Sequence, residues 1–227
     1  MASLLDGALR LLGRKASPDP APQVADTSFV ALDLEMTGLD PARDGIVAMG
    51  AVRLRGGRIL LGESFEALVR PAAAMGPESV RIHRITPAEV ADLPGAGQAM
   101  ERLRRFVGQA VPVGWCLDID LAFLAAEAAR LGMDWPATPG VDVAALYQSL
   151  LRLEPGRLPE VPCRELNLYT LAQALDIEVA ETHQALGDAW LAARVFQRLL
   201  ALRPMSLARL AVLGRQETPL ARHFSLG

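Results

Sequence analysis

The stretch "FVALDLEMTGLDP", Phe29 to Pro41, sets an apolar run against two acids one residue apart, Asp33 and Glu35. From Phe29 to Glu35 the run reads as a strand. Strand side chains alternate between faces, so Asp33 and Glu35 project together while Leu32 and Leu34 project into a core. A strand this apolar is buried, and a buried carboxylate is costly without a positive partner. Two carboxylates side by side also repel, which favours protonation of one of them. A hard divalent cation such as Mg²⁺ or Mn²⁺, which takes oxygen ligands, removes both difficulties. D-x-E at a strand end is therefore half of a metal site. Taken alone, it reads as readily as two acids at a solvated strand end.

Further along, "GIVAMGAVRLRGGRILLGESFEALVRP" predicts two more strands. The Gly-Gly pair of the turn Arg55 to Arg58 suits a tight hairpin. From Pro71 the pattern is irregular. Thr86, Pro87 and Glu89 then supply an N-cap, a proline at the first helical position and a capping-box acid. "AGQAMERLRRFVG" is helical by spacing, "AVPVGW" is a short strand, and "DLAFLAAEAARLG" is a helix ending at Gly132. "VDVAALYQSLLRL" predicts another helix, Pro155 to Pro162 a loop, and "LNLYTLAQALD" and "HQALGDAWLAARVFQRLLALR" two more helices. A last helix runs from Met205 to Leu213 and leads into a polar tail. A three-strand meander followed by helices alternating with one or two strands predicts an α/β fold, a mixed sheet of about five strands flanked by helices.

The chain has 227 residues, room for one ordinary domain and an appendage. Its hydrophobic content of 51% excludes disorder. The net charge of −3 excludes a bulk basic footprint, so any nucleic-acid contact is local or carried by metal ions. Cys116 and Cys163 form no CxxC pair, which makes a reducing cytoplasm the expected location. No apolar stretch reaches the ~18–20 residues of a membrane span, so no membrane partner is expected. At the N-terminus, Leu4, Leu5, Ala8, Leu11 and Leu12 recur at helical spacing, predicting a short amphipathic helix before a Pro-, Ala- and Ser-rich linker.

Two other places carry acids suited to the same chemistry. "GWCLDIDLAFL" puts Asp118 and Asp120 where a strand hands over to a helix, and Asp120 opens that helix. The helix dipole favours an acid there, and either acid could equally be a plain N-cap. "THQALGDAWLAARVF" holds His183 and Asp188. Five residues at about 100° each would place them roughly 140° apart on one helix. Either only one of them matters, or His183 lies in the segment that enters the helix and swings toward the site, which is the preferred reading. Gly187 beside Asp188 leaves room for another backbone or a ligand.

Together these segments resemble the DEDD-type 3′→5′ exonucleases of the His-containing subclass, the family of the proofreading epsilon subunit of bacterial DNA polymerase III. Ribonuclease T and oligoribonuclease are relatives. "DLEMTGL" matches D-x-E-x-T-G-L, "DIDLAFL" the second motif, "HQALGDA" the third, and "IHRIT" a further element between the first two. The resemblance covers about residues 28–202. It implies a ribonuclease H-like fold, with 1–27 as helix and linker, 28–203 as the exonuclease domain, and 204–227 as a C-terminal helix and tail. It implies that Asp33, Glu35, Asp120 and Asp188 hold two divalent cations, Mg²⁺ or Mn²⁺, with His183 as general base. Asp120 is preferred over Asp118 because the family's Asp precedes a Phe by three residues, as Asp120 precedes Phe123.

Met36, Thr37, Leu39 and His83 are the implied contacts to the terminal nucleotide strand. Arg81, Arg84, Arg102, Arg104 and Arg105 are candidate phosphate contacts, the last three more simply a solvated helix face. The implied reaction is hydrolysis at a DNA 3′ end, releasing nucleoside 5′-monophosphates. A 3′→5′ exoribonuclease is the alternative, and a DNA polymerase or other replication or repair protein is the implied partner. Trp115 and Cys116 stand where proofreading members carry H-N, Ile119 where they carry Phe, and Met36 where Thr or Ser is common. None of these departures removes a ligand. A non-catalytic binding subunit would be expected to lack one of the acids.

Overall fold

The computed structural model describes residues 24–215, apart from 137, 181 and 204. The predicted N-terminal helix and most of the polar tail lie outside the described residues. A central strand, β1 (Ser28–Met36), carries the quoted stretch. It pairs antiparallel with β2 (Ile46–Arg55), which pairs antiparallel with β3 (Arg58–Leu68). The predicted turn closes this hairpin, and Gly56 takes φ of 55° with Ala25 packed against it, a conformation that favours glycine. On its other edge β1 pairs in parallel with β4 (Val111–Gly114). Next comes β5 (Val141–Asp142), giving the order β3-β2-β1-β4-β5. The predicted mixed sheet of about five strands, meander first, is the one observed. Its fifth strand is only two residues long and falls inside a stretch whose spacing reads as helix.

Helices cover both faces. After two short helices, α1 (Pro77–His83) and α2 (Pro87–Val90), one layer is α3 (Gly97–Val107) and α4 (Leu117–Leu131). The other follows as α5 (Val143–Leu153), α6 (Leu168–Ala174), α7 (Ala185–Leu202) and α8 (Leu207–Leu213). The capping box at Thr86 and Glu89 forms as its sequence requires, with Thr86 N–H donating to Glu89 Oε2 at 2.7 Å. α1 is a helix in a segment that reads as irregular, because about two turns are too short to declare a period. α4 begins at Leu117, so Asp120 does not open the helix; it is the fourth helical residue. Asp142 is the physical reason for the earlier start. Its carboxylate accepts from Leu117 N at 3.0 Å and from Ala145 N at 2.8 Å, capping α4 and α5 at once.

Strand alternation sorts β1 between two cores. Val30, Leu32 and Leu34 pack with α3 and α4 residues such as Leu103, Phe123 and Leu124. Phe29 and Ala31 pack on the other face with Phe196, Leu191 and Ala192 of α7, and Phe29 meets Phe196 edge-on at 5.1 Å. On α7 the sheet-facing positions Ala185, Ala189, Ala192 and Ala193 are all small and buried, which lets the helix lie close to the strands. α8 joins the same core through Leu210 and Leu213, and its C-cap Gly214 accepts from Asp142 N at 2.9 Å.

Candidate active site

Asp33 and Glu35 continue the Phe29–Ala31 face of β1 past the end of its apolar packing. The helix lying across that face is α7, and Asp188 in its first turn reaches the same spot. Carboxylate oxygens of Asp33, Glu35 and Asp188 all lie within 4.8 Å of one another. The approach depends on Gly50 of β2, the register partner of Asp33. A Cβ on Gly50 would sit 2.2 Å from the backbone carbonyl carbon of Ala185, so only glycine admits the start of α7 here.

His183 does lie ahead of the helix, two residues before Ala185, at φ of 60°. That left-handed backbone costs a non-glycine residue about 1 kcal/mol or more, and such strain is often held at functional sites. The fold over-determines it. His183 N–H donates to Asp188 Oδ2 at 3.1 Å and to the Tyr169 hydroxyl at 3.0 Å, and Tyr169 donates to Asp188 Oδ2 at 2.6 Å. Asp188 Oδ1 is buried with no hydrogen-bond partner.

Asp120 stands beside the triad rather than in it. Its Oδ1 accepts from Leu34 N at 3.2 Å. Leu34 lies three residues past Ala31, the last β1 residue paired with β4, so no strand remains on that side to take its N–H. The carboxylate substitutes for the missing strand. Cys116, the N-cap of α4, is also left-handed at φ of 52°, and its thiol is pushed up to about 12 by burial and by Asp142 and Asp120. It is a neutral, packed thiol at the site's edge.

Burial and mutual repulsion lift the carboxylates. Glu35 is pushed up to about 8, by burial first and then by Asp188. Asp33 is raised well above the usual range by burial, then by Asp120, Glu35 and Asp188. Asp188 is raised by burial, held back by the Tyr169 hydroxyl and by His183. Among the described residues, no Lys or Arg forms an ion pair with any of the four acids. Three crowded carboxylates, Glu35 and Asp188 buried and Asp33 half-buried, and an orphaned Oδ1 fit a hard divalent cation.

The substrate-side residues divide. Leu39 is 61% exposed and free to meet a ligand, and Met36 is half-buried at a register shift of β1. Thr37 is buried in a turn: its N–H donates to Gly45 O, its hydroxyl bonds Asp44 Oδ1 at 3.0 Å, and Gly45 N donates to that hydroxyl at 3.1 Å. Its amide N–H and its hydroxyl are both engaged within that turn. His83 is buried at the end of α1; its Nδ1 accepts from Ile85 N at 3.1 Å and its Nε2 has no partner. Arg104 and Arg105 both pair with Glu101, and Arg102 lies over the Phe65 ring, so these three belong to the helix face. Three residues escape the motifs. Tyr169 carries no sequence signal, Gly50 shows only as a glycine inside a strand pattern, and Asp142 as an acid ahead of a helix.

Residues 30–196 match the model of the exonuclease family, and the chain belongs to that family. It is 34% identical over 194 residues to a DNA polymerase III subunit epsilon-like protein of Rhodobacter capsulatus, covering 84% of this chain and 26% of that one. It is 30% identical over 178 residues to a PolC-type DNA polymerase III of Thermotoga maritima, covering 78% of this chain. This chain spans only 12% of the latter protein's length. Among solved structures, exonuclease X in complex with 5′-overhanging duplex DNA shares the fold, with a TM-score of 0.63 at 21% identity, covering 82% of this chain and 99% of that one. The ribonuclease H-like class and the DEDD-type 3′→5′ exonuclease resemblance read from the motifs agree with these findings. Among the described residues, no helix is long and apolar enough to cross a membrane.

Proposed function

We propose that this chain is a metal-dependent 3′→5′ exonuclease that hydrolyses the terminal phosphodiester of DNA 3′ ends, single-stranded or frayed, and releases nucleoside 5′-monophosphates. The observation that carries the reading is the meeting of Asp33, Glu35 and Asp188 within 4.8 Å beside a half-buried histidine. Asp33, Glu35 and Asp188, with Asp120 alongside, would hold two Mg²⁺ or Mn²⁺ ions. When bound, such ions acidify a water and neutralise charge on the phosphate and the leaving 3′ oxygen. His183, half-buried ahead of α7 on a left-handed backbone, takes the proton from the attacking water; a neutral imidazole does so near neutral pH. Met36 and Leu39 offer apolar surface to the terminal nucleotide, and the unpartnered Nε2 of His83 offers a donor.

The relatives' names support a DNA polymerase, or another replication or repair protein, as the partner class, and exonuclease X in complex with DNA supports DNA over RNA. The test is a panel of single-stranded, duplex, 3′-mismatched and RNA oligomers with products sized. Mg²⁺- or Mn²⁺-dependent release of mononucleotides from DNA 3′ ends, abolished by chelator and by Asp188→Ala, is expected. Preferential loss of RNA would move the assignment to an exoribonuclease. Chelator-resistant digestion would overturn it.

A further inference from the structure

Tyr169 is outside every motif, yet its hydroxyl lies between the proposed base and a proposed metal ligand. α6 holds it there. Asn167 Oδ1 accepts from Tyr169 N at 3.0 Å and Thr170 N at 2.9 Å, and Thr170 Oγ1 accepts from Asn167 N at 3.0 Å, a reciprocal cap at the first turn. The phenol ring meets the imidazole of His183 edge-on, with centroids 5.1 Å apart at 74°. Its oxygen is 2.6 Å from Asp188 Oδ2, 3.0 Å from His183 N and 3.3 Å from His183 Nδ1.

Counting hydrogens at that oxygen assigns the tautomer. A phenol carries one hydrogen and two lone pairs. In the ionised state in which a carboxylate holds a cation, Asp188 only accepts, so the short 2.6 Å contact takes the phenol hydrogen. His183 N–H fills one lone pair. What remains for Nδ1 is a lone pair, so Nδ1 must carry a hydrogen and donate it. In a neutral imidazole the other nitrogen, Nε2, is then bare.

We propose that Tyr169 is a positioning residue that fixes His183 as its Nδ1–H tautomer, so that Nε2 is the atom that takes the proton of the attacking water. The catalytic half of this inference rests on the proposed nuclease reading; the tautomer rests only on an ionised Asp188. Tyr169 keeps its own proton throughout. When Nε2 gains a hydrogen, the Nδ1–H still donates to the phenol oxygen, and the phenol hydrogen stays on Asp188. The arrangement turns a freely rotating ring into one with a fixed face and a fixed acceptor.

The experiment is a two-bond ¹H–¹⁵N correlation spectrum of the full chain with ¹⁵N-labelled histidine, with and without Mg²⁺, at a pH where the imidazoles are neutral. His183→Ala identifies the resonances. His183 is expected as Nδ1–H in the unmodified protein, and Tyr169→Phe is expected to shift it toward Nε2–H. In the same variant kcat falls about 10–100-fold, the usual cost of losing an orienting partner, while KM for an oligonucleotide stays within about two-fold. Finding Nε2–H in the unmodified protein overturns the proposal whether or not the variant folds. So does Tyr169→Phe that lowers kcat with the tautomer unmoved, or moves the tautomer with kcat unchanged. An Nδ1–H His183 in a chain that degrades neither DNA nor RNA would instead sink the nuclease reading and leave the tautomer assignment standing.

Discussion

Glu35 shows what the acids cost when they are only protein. It is 7% exposed, faces Asp33 and Asp188, and is pushed up to about 8 from an ordinary value of 4.5. Between those values the folded chain holds a proton that the unfolded chain has released. Folding stability from this group is therefore full below about pH 4.5 and is lost as pH rises through about 8. A divalent ion competes with that proton, so its benefit runs the other way. The thermal midpoint of the metal-free chain should fall from pH 6 to pH 8, and the increase on adding Mg²⁺ or Mn²⁺ should be larger at pH 8. Glu35→Gln should raise the metal-free midpoint at pH 8 and shrink the metal-induced increase, with activity lost. A metal-free midpoint that falls in this variant would show that the carboxylate stabilises the fold, against the repulsion argued here. At this scale the sequence was highly legible: D-x-E alternation puts Asp33 and Glu35 on one face in any strand. Tyr169 was not legible, because its role depends on where α6 ends up in space.

Between elements, α7 begins hard against the sheet, the backbone of Ala185 against Gly50 of β2. Three further small buried residues along α7, Ala189, Ala192 and Ala193, continue the close approach, and Asp188 lies in the same first turn as Ala185. Gly50→Ala should push the start of α7 from the sheet. We expect a loss of at least about 1–3 kcal/mol of stability, as for other overpacked sites, and a rise in the metal concentration needed for half-maximal activity. Denaturant unfolding and a metal titration check this, and wild-type behaviour in both would mean that Asp188 is placed by other contacts. Helix starts were the least legible feature of the sequence. The left-handed Cys116 and the double cap from Asp142 begin α4 at Leu117, and β5 is too short to register as a strand. His183 was placed correctly ahead of its helix because angular spacing alone forbids it a shared face with Asp188.

Across the whole molecule, the fold brings together acids from β1, α4 and α7, separated by 155 positions between Asp33 and Asp188. β1 is central in the sheet, so its acidic end is flanked by helices from both layers. The meander, the central strand and the helical layers follow from alternation, a Gly-Gly turn and helical spacing. What the linear pattern does not contain is the crossing of α7 over β1, which decides that Asp188 joins the triad while Asp120 turns to Leu34. Net charge is −3, so bound cations would add the local positive charge that the chain lacks in bulk. That makes cation binding by the triad the claim on which the account turns. The most direct measurement is a Mn²⁺-soaked crystal with anomalous difference density. A peak bounded by Asp33, Glu35 and Asp188, absent in Asp33→Ala, is expected; a peak elsewhere, or none in a crystal of chain that needs Mn²⁺ to act, would contradict cation binding by the triad.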